Sequence, residues 1–236
     1  MKNKKINLTK WLILFSILFL PSFLYLYLTS GKHNFVYLPI LSDSTDNYIP
    51  LLDEKRNDYN RYHFIKNFSV NDSLDFSDFN GNIKLIFATS EPDTFKNNLI
   101  NFMIESEIWS KLNKYDSIYY LNFQIESDST SNSNKNNTNI DKYFDIKLPK
   151  DSFEKFMQKN IWVGKISNVI AEKKSFSGKI IICDKEGRIR TGFNKKNKII
   201  YVYDVLSKFE IKLLLEDIKL LLAEYQRELK LKNEYI

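Results

Sequence analysis

The seven residues Ile83 to Thr89, IKLIFAT, narrow the possible folds more than any other stretch of the chain. Apart from Lys84 the run is apolar up to its last residue, which suits a central strand covered on both faces. Asn80-Gly81-Asn82 supplies a turn before it. Ser90-Glu91-Pro92-Asp93 launches a helix after it: Ser90 is a capping residue, Pro92 fits the first turn, and Asp93 sets a negative charge at the positive end of the helix dipole. Phe95, Leu99, Phe102, Met103, Trp109 and Leu112 then recur at helical spacing and are expected to face the core. Ser117 to Ile125, SIYYLNFQI, reads as the next strand. Strand, helix and strand in that order call for a right-handed crossover and hence a parallel pair.

The same reading extends to both sides. Tyr62 to Val70 has the mixed alternation of an entry strand or hairpin. Asp151 to Asn160 fits a short helix capped by Asp151 or Ser152, with Phe153, Phe156 and Met157 turned inward. Gly178 to Asp184 is a buried strand, Lys185-Glu186-Gly187 a turn, and Arg188 to Phe193 the returning strand of an antiparallel hairpin. Ile199 to Asp204 adds a further extended run. Ser207 with Glu210 fits a capping box, Leu206 with Ile211 fits a hydrophobic staple, and the helix that follows buries Leu214, Ile218, Leu221, Leu222 and Tyr225. The expected class is α/β, a mixed sheet flanked by helices on both faces. Residues 126–139 are polar and of low complexity, which reads as a surface loop.

Ahead of this domain, Trp11 to Leu28 is uncharged over about 18 positions, a length of roughly 27 Å as a helix, nearly the thickness of a bilayer core. Lys2, Lys4, Lys5 and Lys10 precede it, so the expected layout is a cytoplasmic basic tail at 1–10, a single-pass transmembrane anchor at 11–29, a tether at 30–60 and a globular domain at 61–230. That layout places the chain in the inner, cytoplasmic membrane with its domain outside the cytoplasm, in the periplasm. The competing reading of the apolar run is a cleaved signal peptide, but Thr29-Ser30-Gly31 is a poor cleavage site. The four lysines carry four of the six net positive charges, leaving +2 for the rest, so no nucleic-acid partner is expected. Cys183 is the only cysteine, which excludes an intrachain disulfide, dithiol exchange and a multi-cysteine metal site. His33 and His63 are the only histidines, too far apart in the chain to suggest a metal set.

Three blocks together resemble the SCO/SenC family of membrane-anchored thioredoxin-like proteins. They are Phe79-x-Gly81 with the strand Ile83 to Ala88 and Thr89-Ser90-Glu91-Pro92; GKIIICDKEGRIR at Gly178 to Arg190 with the helix after it; and an N-terminal apolar run followed by LPI and IKNFSV. The resemblance spans roughly residues 38 to 228 and implies a thioredoxin-like fold, with a role in copper delivery or thiol chemistry during cytochrome c oxidase assembly. It also implies two cysteines spaced C-x-x-x-C and a histidine as copper ligands. Those positions fall here on Glu91, Phe95 and Phe176, so all three ligands are missing.

Each candidate position has a structural and a functional reading. Glu91 caps the helix with a carboxylate in place of a thiolate, or serves as a ligand or general base. Phe95 and Phe176 are expected to pack inward and fill the site with hydrocarbon. Cys183 is expected to be a buried small hydrophobe. No catalytic residue, metal site or cofactor is therefore expected, copper included. The surface of Ser90, Glu91, Pro92 and Asp93 is the candidate docking face. The expected function is a non-catalytic, membrane-anchored binding module in the assembly of a respiratory or other envelope complex, whose partner is an envelope protein. The alternatives are a copper chaperone or thiol-disulfide protein with substitute ligands, and an inert structural envelope protein.

Overall fold

The computed structural model describes residues 15–17, 19–25, 36–42, 62–71, 74–89, 94–125, 142–161, 176–193 and 199–234. The docking face at Ser90, Glu91, Pro92 and Asp93, the loop at 126–139, His33 and residues 11–14, 18 and 26–29 of the expected anchor lie outside these residues. The chain divides into two compact units, Met1–Val36 and Tyr37–Ile236. In the first, residues 15–17 and 19–25 are helical, and Phe15 stacks on Phe19 at 4.1 Å. Among the described residues no helix is long and apolar enough to cross a membrane.

The second unit is built on the strand that the sequence singles out. A small hairpin, β1 (Ser69–Asn71) and β2 (Leu74–Asp75), leads through a 3-10 turn at Phe76–Phe79 into β3 (Ile83–Ala88), every residue of which is buried. A long helix, α1, follows: it is α-helical over Thr94–Met103, π-helical over Ile104–Trp109 and α-helical again over Ser110–Leu112. Next come β4 (Ile118–Ile125), β5 (Tyr143–Leu148), α2 (Lys150–Asn160), β6 (Lys179–Cys183), β7 (Ile189–Arg190), β8 (Gly192–Phe193), β9 (Ile199–Ile200), β10 (Tyr203–Asp204) and α3 (Lys208–Glu234). The main sheet has the order β10-β6-β3-β4-β5, with β7 beside β6. β3 pairs parallel to β4 and antiparallel to β6, and β6 pairs antiparallel to β7. This is the thioredoxin-like arrangement, extended by β5, which pairs parallel to β4 at the far edge.

Side chains alternate between two cores. Ile83, Leu85 and Phe87 of β3, with Tyr120 of β4, meet Ile100, Ile104, Ile108 and Leu112 of α1 and Leu214, Ile218 and Leu221 of α3. Ile86 and Ala88, with Leu121 and Phe123, meet Phe153 and Met157 of α2 on the other face. The helical residues that fill the first core recur every fourth position, whereas an α-helix repeats every 3.6, so each step drifts by about 40°. The wider π-helical turns at Ile104–Trp109 take up this drift and keep the four residues on one side.

Five expectations about the fold need correction. Neither Asp151 nor Ser152 caps α2, which begins one residue earlier with Pro149 at its N-cap. Leu99 and Phe102 do not face the core: they are exposed, because Ile100 and Ile104 hold the inward side of α1. Residues 38–41 are not tether: Leu38, Ile40 and Leu41 are buried, with Leu41 N–H donating to Ile189 O (2.9 Å) and Thr191 N–H to Pro39 O (2.9 Å). β5 was not anticipated, because YFDIKL has Tyr, Asp and Lys at three of its six positions and lies at the sheet edge. Leu206 is exposed rather than stapled to Ile211, although the Glu210 N–H does donate to Ser207 Oγ (3.3 Å) and Glu210 accepts from the Asp204 N–H (2.7 Å).

Candidate functional site

The site that the sequence points to lies where β3 gives way to α1. Thr89, which follows β3, is fixed on two sides: its N–H donates to Phe123 O (3.1 Å) and its Oγ1 donates to Asn122 Oδ1 (3.0 Å). Gly178 closes the same end, donating its N–H to Ala88 O (3.1 Å). Gly178 has φ of +74°, and a Cβ there would come within 3.2 Å of Ile100, so glycine serves both the turn and the close approach of α1.

Of the three positions singled out in the sequence, the two that are described, Phe95 and Phe176, part company. Phe176 is buried, as expected, in the core under α2 with Ala88, Phe123 and Met157. Phe95 is 77% exposed, against the expectation that it packs inward. The reason is rotational: five residues before Ile100, it lies about 140° around the helix from that core position. The structure therefore does not bring Phe95 and Phe176 together into a filled pocket.

Neither position fits copper. A phenylalanine has no donor atom, and the third position, Glu91, carries a carboxylate where copper in its reduced form favours thiolate, thioether or imidazole. Cys183 offers no substitute. It is fully buried in β6 opposite Lys84, and its Sγ donates weakly to Asp184 O (3.8 Å). Burial pushes its thiol up to about 12, partly offset by the Lys84 ammonium, so it stays protonated and unreactive. Lys84 is itself buried, and desolvation lowers its pKa despite the neighbouring Cys183 and Asp184. Its Nζ donates to Phe79 O (3.4 Å) and sits 5.2 Å from the centre of the Phe76 ring. His63 makes a 2.8 Å hydrogen bond to Asn160 O. Among the described residues no three His, Cys, Asp or Glu side chains are grouped to hold a metal ion.

Two polar clusters were missed from sequence. At the carboxyl end of the parallel strands, the buried Asn122 amide donates to Asp145 Oδ1 (2.8 Å), as does Gln124 (2.8 Å). Desolvation raises the Asp145 pKa, opposed by the Asn122 hydrogen bond and Lys147. The signal was an Asn inside the apolar run SIYYLNFQI. Behind the β6–β7 hairpin, Asp184 accepts from Arg188 Nε (2.8 Å) and Arg190 Nη1 (3.4 Å), and Arg190 pairs with Glu224 of α3. Glu224 also accepts the Leu38 N–H (2.6 Å), so one carboxylate ties the leading segment to the hairpin and to α3. Asp184, Arg190 and Glu224 lie inside the fold and hold it together, whereas Asp145 is exposed on the edge strand β5.

No family model matches the chain, and neither does any curated protein. Solved structures do match. BsSco, a member of the Sco family of cytochrome c oxidase assembly proteins, is 12% identical over 67% of this chain and 92% of its own, with a TM-score of 0.45. A SCO1/SenC family lipoprotein from Bacillus anthracis is 13% identical over 71% of this chain and 99% of its own, with a TM-score of 0.44. Yeast Sco1 with copper bound is 14% identical over 62% and 84%, with a TM-score of 0.37. The chain is similar to these proteins in the course of its backbone, and no residue role is taken from them.

Proposed function

We propose that this chain is a membrane-anchored, non-catalytic thioredoxin-like binding module that acts outside the cytoplasm in the assembly of a respiratory or other envelope complex. The observation that carries the reading is Cys183. It is the chain's only cysteine, it is fully buried in β6, and burial pushes its thiol up to about 12. A thioredoxin-like protein with no accessible thiolate and with phenylalanine at two ligand positions has lost the means for exchange and for copper transfer. What it keeps is a rigid sheet with surfaces for recognition. The anchor rests on the apolar run Trp11 to Leu28 behind four lysines, and the setting on the resemblance to SCO/SenC proteins.

The test is to purify the full chain from membranes in mild detergent. The reading expects it to stay with the membrane in high salt, to co-purify reproducibly with an envelope protein, to catalyse no disulfide exchange, and to take up no stoichiometric copper by elemental analysis. Copper uptake or exchange activity would replace it with a chaperone or thiol-disulfide role. The absence of any reproducible partner would leave an inert structural protein.

A further inference from the structure

β5 closes one side of the main sheet, and among the described residues no strand pairs with its outer side. Its direction and register fix what it offers there. In a parallel ladder alternate residues of a strand bond to its neighbour. The Tyr120 N–H donates to Lys142 O (2.8 Å) and Tyr120 stands opposite Tyr143, so the even-numbered residues of β5 serve β4, and the main-chain groups of Tyr143, Asp145 and Lys147 point outward. Side chains follow the pleat. Asp145 and Lys147 are exposed on the face that carries Asn122, whereas Phe144 and Leu148 are half-buried on the other face, on either side of the buried Ile146.

We propose that two copies of this chain join through β5, antiparallel and centred on Ile146, into one continuous sheet. This goes beyond the binding-module reading and does not depend on it. The strand YFDIKL is complementary to itself in that register and in neither neighbouring one. Centred on Ile146, Asp145 of each copy faces Lys147 of the other in a hydrogen-bonded pair, and Phe144 of each faces Leu148 of the other. Opposite charges meet on one face, and hydrocarbon meets hydrocarbon on the other. Centring on Asp145 sets two carboxylates against each other. Centring on Lys147 sets two ammonium groups against each other and brings Asp145 opposite Pro149, which has no N–H to donate. Asp145 is also arranged for a cation: the Asn122 and Gln124 amides both donate to its Oδ1 (2.8 Å each), which leaves Oδ2 for the lysine of the second copy. A single charge on an edge strand guards it against pairing, whereas an Asp and a Lys two residues apart select one mate, the same strand reversed. One strand from each copy makes a small interface, so the dimer is expected to be weak, with a Kd on the order of 10–100 μM.

The experiment is sedimentation equilibrium of the full chain in density-matched mild detergent, at protein concentrations from about 5 to 500 μM. The unaltered chain is expected to pass from monomer to dimer over that range. Lys147→Glu and Asp145→Lys each set like charges opposite one another twice in the dimer, and each is expected to weaken self-association at least ~10-fold. Mixed in equal amounts, these two variants meet with opposite charges, and the mixture is expected to dimerise within about threefold of the unaltered chain. Lys147→Pro removes an outward N–H and spares the bonds to β4, so it is expected to stay monomeric. Melting temperatures report whether each variant folds. The two Lys147 variants leave the Asp145 carboxylate in place for Asn122 and Gln124, so they decide the matter if Asp145→Lys unfolds. An unaltered chain that is monomeric at the highest concentration overturns the proposal. So does a dimer that Lys147→Glu and Lys147→Pro leave at full strength, since another surface then holds it, and so does a mixture of folded variants that fails to recover the dimer.

Discussion

Asp217 on α3 provides a sharp test of how the fold is held. Its carboxyl is buried and accepts a hydrogen bond from Tyr203 Oη (2.6 Å) of β10, beneath the backbone of Gly192. Burial pushes it up to about 6, although the Tyr203 hydrogen bond favours the ionised form. In the unfolded chain an aspartate loses its proton near ~3.9. Between these two values the folded state holds a proton that the unfolded state has released, so stability falls as pH rises, by about 3 kcal/mol in all. Asp217→Asn keeps the shape and the acceptor for Tyr203 but cannot ionise. Urea unfolding of both proteins, full-length in mild detergent, at a series of pH values from 3.5 to 7.5 reads the difference directly. The variant is expected to gain on the unaltered chain by about 3 kcal/mol across that range, most of it between pH 4 and 6. A difference that stays constant with pH would refute the placement of a protonated Asp217 in the core.

Three further outcomes follow from the same packing. Gly192→Ala sets a methyl group against the Asp217 carboxyl and the Tyr203 hydroxyl, and is expected to cost about 1–3 kcal/mol in urea unfolding. Glu224→Ala leaves the buried Arg190 with Asp184 as its partner at 3.4 Å and strips the Leu38 N–H of its acceptor; a loss of about 3–5 kcal/mol and a melting temperature lower by roughly 10 °C are expected, by scanning calorimetry. Iodoacetamide at pH 8 is expected to leave Cys183 unmodified in the native chain over a time in which the urea-unfolded chain reacts fully.

The central strand was legible because IKLIFAT is apolar on both faces, and β3 is buried on both. The helix after it was legible as a helix and misread as to its face. It carries two apolar stripes, 95-99-102 and 100-104-108-112, and periodicity alone does not say which turns inward. The second stripe repeats every four residues, which fits a plain α-helix poorly and a π-helical stretch well. The leading segment looked like tether because LPIL stands alone in a polar region. Its place in the core depends on Glu224, 186 residues from Leu38, a pairing that no local pattern carries. Lys84 and Asn122 were visible as polar residues inside apolar strands, yet their partners come from other elements. At the candidate site, the burial of Phe176 was readable from its residue type. The exposure of Phe95 was not, because it depends on the rotation of α1.

The claim that this chain recognises a partner without thiol chemistry meets its most direct test in Cys183→Ala. The substitution removes the only sulfhydryl in the chain, and circular dichroism and the melting temperature show whether the fold is kept. The cysteine-free chain, purified from membranes beside the unaltered one, is expected to bring down the same envelope partner in the same yield. A folded cysteine-free chain that loses its partner would contradict the account.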